Sequence, residues 1–86
     1  MARPRKGTGM KFTKTTEARY WEMLEVLPPA IMAGGGFLVG EPMDHNAQGQ
    51  PRFSAFFEYP RGTFYESAGP MTVAEFRAVK PQDLAA

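Results

Sequence analysis

The chain has 86 residues, nine glycines, eight prolines, no cysteine and a formal charge of +1. That length supports one small domain, and without cysteine neither a disulfide framework nor a thiolate metal site can form. No apolar run approaches the ~20 residues of a spanning helix, so no membrane partner is expected. The basic N-terminus is not followed by the apolar stretch of a secretory signal.

The small net charge hides a split. Arg3, Arg5, Lys6, Lys11 and Lys14 all precede the first acidic residue, Glu17, whereas five basic residues face nine acidic ones from Thr15 onward, giving +5 and −4. Residues 1–12 have little apolar content and no periodicity, and read as a flexible basic arm. Met10 lies just before Lys11-Phe12 and is a second candidate start. Residues 13–82 are expected to form a single α+β domain, with 83–86 as a C-terminal tail.

A first helix is predicted over Glu17 to Leu27. Thr15 or Thr16 can cap it, and Glu17 is placed where the helix dipole favours an anion. Tyr20, Met23, Leu24 and Leu27 recur at helical spacing as one apolar stripe, and Pro28-Pro29 stops the helix. Ala30 to Gly36 read as a connector ending in three glycines, Phe37 to Gly40 as the centre of a first strand, and Asp44 to Pro51 as a polar loop. The clearest strands are Arg52 to Tyr59 and Thr63 to Ser67, joined by Pro60-Arg61-Gly62 as a three-residue hairpin loop.

That loop sets a register. Phe57 should face Tyr65, with Phe53 and Ala55 on the same side. Phe56 with Glu66, and Glu58 with Phe64, should occupy the other side. Near the C-terminus, Thr72-Val73-Ala74-Glu75 is a capping box, and Met71 and Phe76 stand where a hydrophobic staple belongs. This second helix should end near Val79, before Pro81. The expected order is α-β-β-β-α: a three-stranded antiparallel meander with an N-terminal and a C-terminal helix, both covering one face.

No pattern here carries catalysis. His45 has no cysteine partner, and no serine has a nucleophile-elbow context. Gly34-Gly35-Gly36 has neither phosphate-loop nor dinucleotide-fold spacing and precedes a strand, so a permissive turn is the better reading. Glu41, Asp44 and His45 match no metal-ligand spacing, and Asp44 and Asn46 read as turn formers. No cofactor or metal is expected. Arg52 to Tyr59 echoes the base-stacking strand of RNA-recognition motifs, but Ser54 and Ala55 stand where that motif needs glycine.

Two surfaces are left. If both helices cover the Phe57 face, Phe56 and Phe64 remain exposed between Glu58 and Glu66, as aromatic partner sites often are. A helix, a tail or the Trp21 ring covering them is the competing reading. Separately, Arg3, Arg5, Lys6, Lys11 and Lys14 could contact nucleic-acid phosphates.

Taken together, Leu24 to Pro29, Gly34 to Pro42, His45-Asn46 and Pro70 to Phe76 resemble a family of short bacterial proteins, often encoded on plasmids and prophages and known only as a domain of unknown function. The resemblance implies a bacterial cytoplasm and a mobile-element setting. It brings no activity and no site residues. The expectation is a non-enzymatic interaction module that binds a protein partner or itself through the sheet face or edge. The alternative is a nucleic-acid accessory protein using the basic arm.

Overall fold

A strand whose side chains alternate must hide both sides if both are aromatic, and residues 55–58 carry Phe56 and Phe57 in succession. The structure, a computed structural model, describes residues 11–84. In chain order the elements are β1 (Phe12–Thr15), α1 (Glu17–Val26), β2 (Ile31–Ala33), β3 (Gly36–Leu38), β4 (Asp44–His45), β5 (Pro51–Arg52), β6 (Ala55–Glu58), β7 (Phe64–Ser67), α2 (Val73–Ala78) and α3 (Pro81–Leu84). Five strands form an antiparallel sheet in the order β1-β7-β6-β3-β2, and β4 and β5 form a separate two-stranded ribbon.

The hairpin register follows the sequence. Phe57 pairs with Tyr65, Phe56 with Glu66 and Glu58 with Phe64. Gly62 closes the turn at φ +88°, and the Tyr59–Pro60 peptide is cis. The capping box is complete: the Thr72 hydroxyl accepts from the Glu75 N–H at 3.2 Å, and the Glu75 carboxylate accepts from the Thr72 N–H at 2.9 Å. At α1 the cap is Thr16, whose hydroxyl accepts from the Arg19 N–H.

Other expectations are corrected. The sheet has five strands, not three. The stretch read as a connector holds β2, which pairs with β3 through a two-residue turn at Gly34-Gly35. Both glycines have positive φ, +57° and +80°, as a hairpin turn matched to strand twist requires. The expected arm of residues 1–12 ends inside a strand. Phe12 opens β1 on the free edge of β7, and its ring meets Phe57 edge-on at 5.6 Å. The polar loop contributes β4 and Pro51 of β5, and the strand expected over Arg52 to Tyr59 is divided, Arg52 belonging to β5 and Ala55–Glu58 forming β6. The expected tail begins inside α3, where Leu84 is buried.

The largest correction concerns the faces. Tyr20, Met23 and Leu24 of α1, with Leu27 just past its end, pack on Phe37, Val39, Phe56 and Phe64. Phe76 and Leu84, from α2 and α3, pack instead with Leu38, Ala55, Phe57 and Tyr65, where Phe53 and Met71 complete the cluster. The helices therefore lie on opposite sides of the sheet, and each side has its own core. None of the described helices is long and apolar enough to cross a membrane.

Where the chain leaves α1, Pro28 runs against Gly40. A Cβ on Gly40 would collide with the Pro28 carbonyl oxygen, and backbone cannot swing aside as a side chain can. Gly69, by contrast, has open space around it. Gly40→Ala should lower stability by about 2 kcal/mol through overpacking. Gly69→Ala should stay within about 0.5 kcal/mol of the parent or exceed it. Urea midpoints of the two variants check this.

Candidate functional site

The aromatic–carboxylate face expected to bind a partner is not exposed. Phe56 and Phe64 are 1% and 5% accessible, because α1 lies across them. Tyr20 does most of the covering. Its ring centre lies 5.2 Å from Phe37, 6.5 Å from Phe56 and 5.0 Å from Phe64, mostly in edge-to-face geometry. Such contacts add about 0.5–1.5 kcal/mol each beyond burial.

The two carboxylates of that face are also engaged. Arg19 Nε donates to Glu66 Oε1 at 3.0 Å, and its guanidinium lies 5.6 Å over the Phe56 ring. Glu58 Oε2 accepts from the Gly62 N–H at 2.8 Å and so braces the hairpin turn. Phe56, Glu58, Phe64 and Glu66 thus seat α1 and close a turn. Trp21 is not the cover: its ring stays half exposed, with Nε1 donating to Glu17 at 3.3 Å.

Glu41, Asp44 and His45 are not gathered into a site. Among the described residues no three histidines, cysteines or carboxylates converge as metal ligands. Both Asp44 oxygens accept from Arg52, at 2.7 and 2.6 Å, across the β4–β5 ribbon. That guanidinium holds the Asp44 carboxyl below its usual range. Asn46 shapes the loop between these strands, its Oδ1 accepting from the N–H groups of Gln48 and Gln50.

Of the five basic residues, Arg3, Arg5 and Lys6 lie outside the described residues. Lys11 and Lys14 are exposed, the second on β1 and the first just before it.

With both faces of the central strands β3 and β6 covered, the sheet edges remain. β1 and β2 end the sheet, and none of the described residues pairs with their outer sides. The two edges differ in chemistry. β1 carries Lys14, a charge of the kind that discourages strand pairing. β2 carries none, and no charged residue occurs between Glu25 and Glu41. Hairpin alternation turns the Met32 N–H and C=O away from β3 to the open side. Met32 is 60% exposed.

At the Gly34 end of this edge the sheet meets α2. A cleft of about 170 Å³ opens there, lined by Ala33, Gly34, Phe57, Phe76, Arg77 and Val79. Both edge and cleft involve the stretch from Ala30 to Gly36, which is expected from sequence to be a connector. The signal was present: Ile31-Met32-Ala33 and Phe37-Leu38-Val39 flank adjacent glycines, a short-range hairpin pattern.

Compared with known proteins, the chain matches no family model, no curated protein and no solved structure.

Phe56→Ala should cost about 3–5 kcal/mol, a large part of a small domain's stability, as measured by urea unfolding. Burial first, and the Glu58 charge second, raise the Tyr20 phenol above its ordinary value. The fold therefore favours the neutral phenol. That contribution is intact below about pH 10 and is lost as pH rises through the higher folded value. Tyr20→Phe should accordingly lose less stability than the parent between neutral and strongly alkaline pH, in paired urea titrations.

Proposed function

We propose that this chain works by contact, as a non-enzymatic interaction module whose binding element is the open edge of β2. A strand from a protein partner, or from a second copy, would add to that edge and satisfy its outward N–H and C=O groups. The reading rests on one observation above all: β2 ends the sheet as an uncharged, partly exposed strand, while the opposite edge carries Lys14. An edge without charge is a liability for a small protein, and use by a partner accounts for it. The covered faces support the same choice, since adding a strand displaces neither helix. The setting we propose, on the resemblance in residues 24–76, is the bacterial cytoplasm and a mobile element.

Met32→Pro tests the edge. It removes an outward donor and leaves the β2–β3 ladder whole, a position where proline is tolerated. The parent should associate with itself or with extended peptides, with the amide signals of residues 31–33 shifting in NMR titrations. Met32→Pro should weaken that association at least about tenfold, roughly the loss of one or two hydrogen bonds. A parent that stays monomeric to millimolar concentration, with those amides indifferent to extended peptides, refutes the reading.

A second reading has its own observation. Lys11 and Lys14 are exposed and continue the charge of Arg3, Arg5 and Lys6 along the chain. A nucleic-acid accessory role would make binding fall steeply with salt, because phosphate contacts release counterions. Deleting residues 1–9 should then weaken DNA or RNA binding strongly at low salt and little at high salt. Unchanged or absent binding in both forms ends this alternative.

A further inference from the structure

The cleft beside β2 has a divided chemistry. Its floor is apolar, built from Phe57 and Phe76, whose rings lie 5.2 Å apart, with Val79 and Ala33 at its sides. Its rim holds Arg77, which is exposed and makes no ion pair among the described residues. At about 170 Å³ the space is smaller than the ~300 Å³ at which small-molecule sites begin. It suits one side chain. The outer edge of β2 ends at the same place, because Ala33 closes β2 and, with the turn residue Gly34, lines the cleft.

We infer that this cleft takes the last residue of a protein partner's chain. The C-terminal side chain, aliphatic and uncharged, rests on Phe57, Phe76 and Val79. The α-carboxylate meets the Arg77 guanidinium, a charge-assisted pairing stronger than a neutral hydrogen bond. The residues before it add as a strand along β2. The inference rests on the edge reading above and names the kind of partner that edge accepts.

Geometry sets the direction. β2 runs from Ile31 to Ala33, so a chain that ends beside Ala33 must run parallel to it. A partner's N-terminus is disfavoured, because its ammonium would face Arg77. A fatty acid shares the apolar chain and the carboxylate, but it cannot use the outward backbone groups of Met32. A free chain end is therefore the ligand that satisfies all three features at once.

The test uses the full chain and a pool of fluorescent hexapeptides that end in leucine or valine, each as free acid and as C-terminal amide. Anisotropy should show the free acids binding about tenfold or more tightly than the amides, the range for a hydrogen bond to a charged group. Arg77→Gln should abolish that difference, Arg77→Lys should restore part of it, and neither should move the urea midpoint appreciably. In NMR, the amides of Ala33, Gly34 and Val79 should shift with the free acid.

Equal binding of acid and amide, both weakened by Met32→Pro, would overturn the terminus inference and leave the edge reading standing. Self-association through β2 without peptide binding would do the same. Decanoate binding as tightly as the best free acid, with the same Arg77 dependence, would overturn the inference in favour of a free carboxylate ligand. Absence of both peptide binding and self-association removes the inference together with the edge reading.

Discussion

Two phenylalanines in succession on one strand cannot face the same way, and residues 56 and 57 impose that constraint at the centre of this sheet. Phe56 is 1% accessible and Phe57 5%. Each buried ring contributes about 1.5–3 kcal/mol relative to exposure, so leaving one side open would forfeit much of a small domain's margin. Both sides of β6 must be covered. α1 covers one, while α2 and α3 cover the other, so the helices lie on opposite faces as a result.

The polar groups around β6 and β7 secure that arrangement. Arg19 binds Glu66 and lies over Phe56, tying α1 to the sheet by charge and by ring contact. An exposed ion pair contributes little stability by itself, at most about 1 kcal/mol. Its value here is orientation, since it holds Tyr20 over three phenylalanines. Residues that look in sequence like a binding surface are spent on internal contacts. What stays open is the sheet's two edges, β1 and β2, which are chemically unlike.

Local signals were legible wherever the interactions are local. The Thr72–Glu75 capping box joins residues three apart, and the Pro60-Arg61-Gly62 turn fixes the pairing of Phe57 with Tyr65. Helical spacing of Tyr20, Met23, Leu24 and Leu27 marks the side of α1 that packs on the sheet, with Tyr20 buried and the others partly so. Short strands were harder. β2 has three residues and β1 offers one apolar side chain, and neither has periodicity enough to stand out. They exist because β3 and β7 present open edges to them. The candidate binding surface stayed hidden for that reason: an edge is defined by the strand that is missing beside it.

By itself the sequence determined the α+β class, the central hairpin and its register, the capping box of α2, and which residues are apolar enough to be buried. Each depends on neighbours along the chain or on alternation within one strand. Only the tertiary structure decided that the sheet has five strands, that its helices lie on opposite faces, and that Phe56 and Phe64 are core rather than surface. Those outcomes depend on which distant segment reaches a given face first and covers most apolar area there. Hydrophobic burial is not directional, so no local pattern encodes that choice.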